Sequence, residues 1–390
     1  MTKLVFLIRS LETGGSEQQL VTFAKSIDRT TFDPTVITFY SGGVFEAELR
    51  NVGVRIISLN KSGRWDVLFF FVRLVRTLMA IRPAIIYSYL DLSNVLALIV
   101  GKILCKAKVV WAVRSAGFDL HDYDWLRRLG AKLELWLSRF PAVVIVNSHE
   151  GFNSIISRGF PRQKLIVIQN GIDTSHFRFD PEARVRIRKE WNVSEEEILI
   201  GLVARFDPIK DHRTFFKAAA LVMKTEPNAR FVCVGGSPGD GAAQKLNRLI
   251  DKLELSSKVF FAGERTDMRD VYSALDINCL TSINEGWPNV VGESMSCGVP
   301  CVVTNVGDAA EIVGATGFVS APGDAQAFAS NVICCMNSDR EALGIKARQR
   351  IENNWPVEKL VSDTEEVLLS IVGNQLSIDV NSSHAMANSL

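Results

Sequence analysis

Short β-branched runs alternate with longer amphipathic stretches along almost the whole chain, and this alternation is what most restricts its fold. Candidate strands lie at 4–8, 33–38, 85–88, 109–113, 143–147 and 165–168, and again at 198–204, 229–234, 259–262, 277–280 and 300–304. Helical stretches such as 16–27, 65–79, 211–225 and 242–253 fall between them. A strand, a helix and a second strand in series build a parallel sheet with helices on its faces, because parallel neighbours need a long crossover. That many strands exceed one comfortable sheet, and 390 residues suit two domains better than one. The expected class is therefore α/β, with two doubly wound domains. The best boundary follows the turn Asn170-Gly171-Ile172-Asp173. It puts a first domain at 1–175 and a second at 176–356. A last helix near 357–372 packs back on the first domain, and a polar tail over 373–390 is expected to be disordered.

Composition narrows the setting. Net charge is only +1, but it is unevenly spread. Through residue 175 there are 22 Lys and Arg against 14 Asp and Glu, and the remainder has 22 against 29. A basic first half suits an anionic substrate or surface, although solvated faces alone account for it equally well. The seven cysteines form no CxxC pair and several sit in apolar runs, so they read as small buried side chains. Five histidines without HxxxH spacing speak against a zinc site. The chain opens Met-Thr-Lys and enters the apolar run 4–8 with no cleavage-site pattern, which argues against a signal peptide. No uncharged run reaches the ~18 residues of a spanning helix. A reducing cytoplasmic location is expected.

Several loops at strand ends carry chemistry. In Glu285-Gly286-Trp287-Pro288-Asn289-Val290-Val291-Gly292-Glu293, Pro288 suits a first helical turn. Glu285 then lies on the loop before a helix and Glu293 about two turns inside it. A helix N-terminus favours phosphate. Two carboxylates beside such a site suit a ligand with hydroxyls at both ends and phosphate between them, as in a nucleotide-sugar. Arg205 ends the strand 198–204 and Lys210 stands at the next helix start, so two cations bracket a mouth suited to a diphosphate. The plainer reading is a pair of solvated cations beside a turn. Gly14-Gly15-Ser16-Glu17, Gly235-Gly236-Ser237-Pro238-Gly239 and Gly263-Glu264-Arg265 also follow strands. The first is neither GxGxxG nor GxxxxGK[ST], which excludes the dinucleotide and P-loop readings.

Taken together, Ala204-Arg205…Lys210, Gly235-Gly236, and Thr281-Ser282-Ile283-Asn284-Glu285 through Glu293 resemble glycosyltransferase family 4. Gly14-Gly15-Ser16-Glu17, Val146-Asn147-Ser148, Asn170-Gly171-Ile172-Asp173 and Ser296-Cys297-Gly298-Val299-Pro300 extend the resemblance over roughly 3–372. It implies the GT-B fold, two Rossmann-like domains facing a central cleft, and transfer that retains anomeric configuration. It implies that Arg205 and Lys210 hold the donor diphosphate, Glu285 the sugar hydroxyls and Glu293 the ribose. Backbone N–H groups at Asn289, Val290 and Val291 would meet the phosphates. Gly15 and Gly235 would line the donor site, and Glu264 and Arg265 would lie near the base. No metal or other cofactor is implied.

One departure bears on the acceptor side. Where many relatives carry His after the strand 109–113, this chain has Arg114, with His121 seven residues on. Both are acceptor-side candidates. Asp122-Tyr123-Asp124 imitates a metal-binding DxD but sits in the wrong architecture for it. Two basic aromatic stretches, 65–82 and 125–136, suit the surface of an anionic bilayer or a helix packed on its own sheet. The expected function is transfer from a UDP-linked sugar to a glycan or lipid-linked acceptor, in lipopolysaccharide, O-antigen or capsule assembly. The expected location is cytoplasmic, peripheral on the inner face of the cytoplasmic membrane, with no nucleic-acid partner. A nucleotide-sugar epimerase of the same fold is one alternative. It would change the donor without an acceptor. A non-catalytic nucleotide-sugar-binding protein is the other. It would bind without transfer.

Overall fold

The computed structural model describes all residues except Arg64, 115–124, 237–240 and 374–390, and only the backbone of 125–129, 131, 242 and 243. The chain forms two compact units. One is Met1–Gly171 with the chain from Val357 onward, and the other is Ile172–Pro356. The division thus falls after Gly171 rather than after 175. Most of the expected tail lies outside the described residues.

In the first unit, β1 (Thr2–Ile8), β2 (Phe32–Thr38), β3 (Arg55–Ser58), β4 (Ile85–Tyr89), β5 (Lys108–Val113), β6 (Val143–Val146) and β7 (Leu165–Val167) form one parallel sheet. Their order is β3-β2-β1-β4-β5-β6-β7. In the second, β8 (Ile198–Val203), β9 (Ala229–Val234), β10 (Val259–Gly263), β11 (Ile277–Leu280), β12 (Cys301–Thr304) and β13 (Phe318–Ser320) are ordered β10-β9-β8-β11-β12-β13. In each sheet the strand order reverses once, between β1 and β4 and between β8 and β11. Ligands of open α/β sheets bind outside the carboxyl ends of strands at such reversals.

The strands are apolar on both faces because helices cover both. Along β1, Leu4, Phe6 and Ile8 join one core, while Val5 and Leu7 join the other. The first of these cores includes Val357, Leu360, Val361, Leu368 and Ile371 of the helix Val357–Val372. The second takes Phe70, Leu74 and Leu78 from the helix Leu68–Ile81.

Two strands are unforeseen, β3 and β13, both at sheet edges. Arg55–Ser58 is four residues long and partly exposed, so it lacks the continuous apolar signature of a central strand. The helix expected to begin at 65 begins at Leu68. Ala97–Leu104 forms a π-helix that no periodicity announced. Five of the seven cysteines are buried, Cys105 is half-buried and Cys334 exposed, and none forms a disulfide. Among the described residues no helix is long and apolar enough to cross a membrane.

Candidate functional site

In the second unit the ends of β8 and β11 meet at the reversal point. Past β8, Asp207 accepts the Ile209 amide at 3.0 Å and shapes a single 3₁₀ turn, Pro208–Lys210. Asp211, in the left-handed region at φ 43°, then caps the helix His212–Val222 by accepting the Thr214 amide at 3.2 Å. This tight passage swings Lys210 towards β11. The Ile283 amide donates to Ile209 O at 2.8 Å, and the Thr281 hydroxyl to Lys210 O at 3.0 Å. The Lys210 ammonium donates to Glu285 Oε1 at 2.5 Å, and the Ser282 hydroxyl donates to the same oxygen at 2.7 Å. Arg205 is exposed and, among the described residues, its side chain has no carboxylate partner.

The Glu285 loop is held from β12. Thr304 donates to Ser282 O at 2.6 Å, and the Asp308 amide to Gly286 O at 2.9 Å. Gly307 has φ 53°, and a Cβ there would lie 2.2 Å from Gly286 O, so only glycine fits.

Pro288 stands at the cap position, one residue before the first turn that the sequence suggests. The helix is Asn289–Ser296, and Glu293 is its fifth residue, little more than one turn inside rather than two. Glu293 is 3% exposed and accepts the Tyr272 hydroxyl at 2.8 Å. Burial, and then the Glu293 charge, push the Tyr272 phenol well above its ordinary range, so it remains a donor. Of the three residues expected to offer amides to phosphate, Val291 donates to Pro288 O at 3.1 Å, inside the turn itself. Asn289 and Val290 precede it, at positions where a helix lacks carbonyls to satisfy N–H groups.

Gly235 and Gly236 pack on the protein's own backbone and rings. At φ 112°, a Cβ on Gly235 would lie 2.7 Å from Ala204 O, and one on Gly236 2.7 Å from the Phe206 ring. Gly235 N–H donates to Gly263 O at 2.8 Å. The glycines therefore draw the ends of β8, β9 and β10 together. His212 supports the same spot. It is buried, hydrogen-bonded to the Ala204 backbone, and its Nε2 has no partner. Burial lowers its pKa to about 4 and keeps it neutral.

Glu264 is exposed on the loop after β10. Arg265, on the same loop, is held by two carboxylates. Its fork is taken up by Glu190 at 2.5 Å and by Asp267 at 2.8 and 2.6 Å, and both carboxylates hold its pKa above the usual range. A guanidinium so engaged has little left to offer a base.

In the first unit, Gly15 is exposed and opens the helix Gly15–Ser26, capped by Gly14 in extended conformation. A Cβ on Gly14 would lie 2.1 Å from Glu17 Oε2, so the Glu17 carboxylate folds back over this glycine. Arg114 follows β5 and donates to Asn170 Oδ1 at 2.6 Å. His121 and Asp122-Tyr123-Asp124 lie outside the described residues.

Sequence reasoning assigns no role to Tyr272, Thr304 or Gly307, and Ser282 enters it only within the run of the resemblance. Only Gly307, in the run Val306-Gly307-Asp308 after a strand, carried a turn signal. Tyr272 and Thr304 are single hydroxyls whose partners lie 21 and 22 residues away, whereas Ser282 bonds Glu285 three residues on.

Residues 13–176 match a family described as Glycosyltransferase Family 4, and residues 197–338 one described as Glycosyl transferases group 1. An N-acetyl-alpha-D-glucosaminyl L-malate synthase of Bacillus anthracis is 26% identical over 235 residues, 59% of this chain and 60% of that protein. The chain thus spans about three fifths of that relative's length. The putative glycosyltransferase EpsF of Bacillus subtilis is 21% identical over 321 residues, 78% of this chain and 79% of its own. Among solved structures, Anabaena Alr3699/HepE in complex with UDP and glucose superposes with a TM-score of 0.84 at 23% identity. That superposition covers 95% of this chain and 100% of the other, and it speaks to the fold.

Proposed function

The chain belongs to glycosyltransferase family 4 and has the GT-B fold, and from that membership we propose a retaining glycosyltransferase. Its donor is a nucleotide-diphospho-sugar, UDP-linked. Its acceptor is a glycan or lipid-linked molecule of surface polysaccharide, in lipopolysaccharide, O-antigen or capsule assembly. The observation that carries this reading is the Lys210–Glu285 contact at 2.5 Å at the reversal point of the second sheet. It pairs a group that binds phosphate with one that binds hydroxyls. UDP with glucose in Anabaena HepE supports the donor class.

In this reading Arg205 and Lys210 hold the diphosphate and face the charge that gathers on it. Glu285 accepts hydrogen bonds from sugar hydroxyls and Glu293 from the ribose. The Asn289 and Val290 amides lie at the positive end of their helix. The bond from the sugar C1 to the diphosphate oxygen breaks, and its electron pair stays on that oxygen. The acceptor hydroxyl oxygen bonds C1 from the same face, and its proton passes to the leaving diphosphate. The transition state is oxocarbenium-like, and fixed cations aimed at the leaving group supply most of its stabilisation. The same cations supply the charge that a metal brings elsewhere, so the proposed reaction needs none.

The proposed place is the cytoplasmic face of a membrane. Trp65, Leu68 and Phe69 are at least 70% exposed beside exposed Arg76, which suits an anionic bilayer. Phe70 turns into the core instead. Flotation with anionic liposomes should show salt-sensitive association.

A thermal-shift screen of UDP-, GDP- and ADP-sugars tests the donor, because a ligand of the native state alone raises apparent stability. Stabilisation by a UDP-sugar, followed by transfer to a lipid-linked acceptor, is expected. Stabilisation by none of them, or an epimerised sugar formed from donor alone, would sink the proposal.

A further inference from the structure

Two arginines of the second unit are paired with carboxylates. Arg188 is 1% exposed and holds Asp276 at 3.0 Å, and Arg265 holds Glu190 and Asp267. Arg114 is different. It lies over the Tyr89 ring, 5.1 Å from the centroid, and its one close hydrogen bond goes to Asn170 Oδ1 at 2.6 Å. Nη2 reaches only the hydroxyl oxygens of Tyr87 and Tyr89, both at 3.5 Å, and the buried Nε has no partner. Among the described residues no carboxylate touches this guanidinium. A charge drawn out of water ordinarily brings a counter-charge with it. Amide and phenol oxygens orient the fork without neutralising it.

The surroundings are built. Asn170 is held in place by its neighbour Gly171, whose N–H and carbonyl both bond to the buried Gln19 side chain, at 3.2 and 3.0 Å. Burial pushes the Tyr89 phenol well up, so it keeps a proton to donate. Leu90, next along, is held at φ 72° and ψ 156°, a region almost reserved for glycine, and strain of that kind gathers at ligand sites. Tyr89, Leu90 and Arg114 lie at the carboxyl ends of β4 and β5, beside the reversal of the first sheet.

We propose that Arg114, with the Tyr87 and Tyr89 hydroxyls, binds an oxyanion, phosphate or carboxylate, carried by the acceptor. The acceptor is therefore an anionic molecule. The word acceptor rests on the glycosyltransferase reading, whereas the anion site rests on the first unit alone.

The probe is inorganic phosphate at constant ionic strength, added to whole protein already saturated with UDP, so that the diphosphate contacts of the second unit are filled. Phosphate should raise the melting temperature further. Arg114→Gln should weaken that binding about tenfold or more, the loss of one hydrogen-bonded charge, with the UDP-induced shift unchanged. Arg114→Lys should retain part of it, because the charge remains and the fork does not. The proposal fails if native protein shows no phosphate effect or if Arg114→Gln binds phosphate undiminished. It also fails if UDP displaces the Arg114-dependent phosphate, which would assign the anion to the donor. If UDP itself does not bind, the donor reading falls, and the same titration on Lys210→Ala protein judges the Arg114 site separately.

Discussion

Lys210→Ala should separate chemistry from stability. The ammonium lies 2.5 Å from Glu285 Oε1, and the two side chains keep 24% and 13% exposure. A pair that water still reaches is worth about 1 kcal/mol net. In a unit the size of Ile172–Pro356, that lowers the melting temperature by roughly 2–4 °C. In the proposed transition state the same ammonium faces charge building on the leaving diphosphate. Removing one such preorganised donor costs ~3 kcal/mol, somewhat over a hundredfold in kcat. The assay is transfer at saturating donor, run beside a thermal melt of ligand-free protein. Lys210 also orients Glu285, so the double variant with Glu285→Gln should lose less than the two single losses combined. Turnover within about threefold of native would refute the reasoning, because less than 1 kcal/mol would then separate the two proteins. A collapse in stability large enough to carry the rate loss with it would refute it equally.

The two glutamates should part ways: Glu293→Gln mainly weakens donor binding by calorimetry, whereas Glu285→Gln also slows transfer, and the reverse pattern would overturn these roles. Gly235→Ala forces a side chain into φ 112° and a Cβ to 2.7 Å from Ala204 O, so chemical denaturation should report a loss of about 2–3 kcal/mol. His212 has a folded pKa lowered to about 4 against an ordinary 6.5. Between those values the unfolded chain takes up a proton that the folded one refuses. Its contribution is therefore whole above pH 6.5 and lost as pH falls towards 4, by at most about 3 kcal/mol. His212→Phe should flatten that part of the stability–pH curve, and an unchanged slope would assign it to other groups.

The architecture was legible because central parallel strands, covered on both faces, read as unbroken apolar runs. β8 and β9 are plain in the sequence for that reason. β3 and β13 were not, because these two short edge strands, unlike β7 and β10, include polar residues. Within the candidate site, Arg205, Lys210, Glu285 and Glu293 stood out by their spacing from strand ends and from Pro288. Their pairing did not stand out. Lys210 and Glu285 are 75 residues apart, as are Arg265 and Glu190, and nothing local announces either pair. A cation beside a strand end, such as Arg265, looks the same in sequence whether or not two carboxylates hold it. The Ala204 carbonyl that Gly235's missing Cβ leaves room for lies 31 residues earlier, and nothing local announces that approach either.

The return of the last helix has a consequence for how the protein is made. Val357, Leu360, Val361, Leu368 and Ile371 complete the core that begins with Leu4 and Phe6. Chains commonly fold domain by domain from the N-terminus as they leave the ribosome. Here the first-made unit cannot finish first. Its apolar sheet face stays open until Val357–Val372 has been made, while Ile172–Pro356 already has all its residues. Its two ends lie together, with the Ile172 amide bonded to Trp355 O at 2.9 Å. A chain cut short before Val357 would keep a whole second unit and leave the first uncovered, so early termination should yield aggregates rather than a smaller working enzyme.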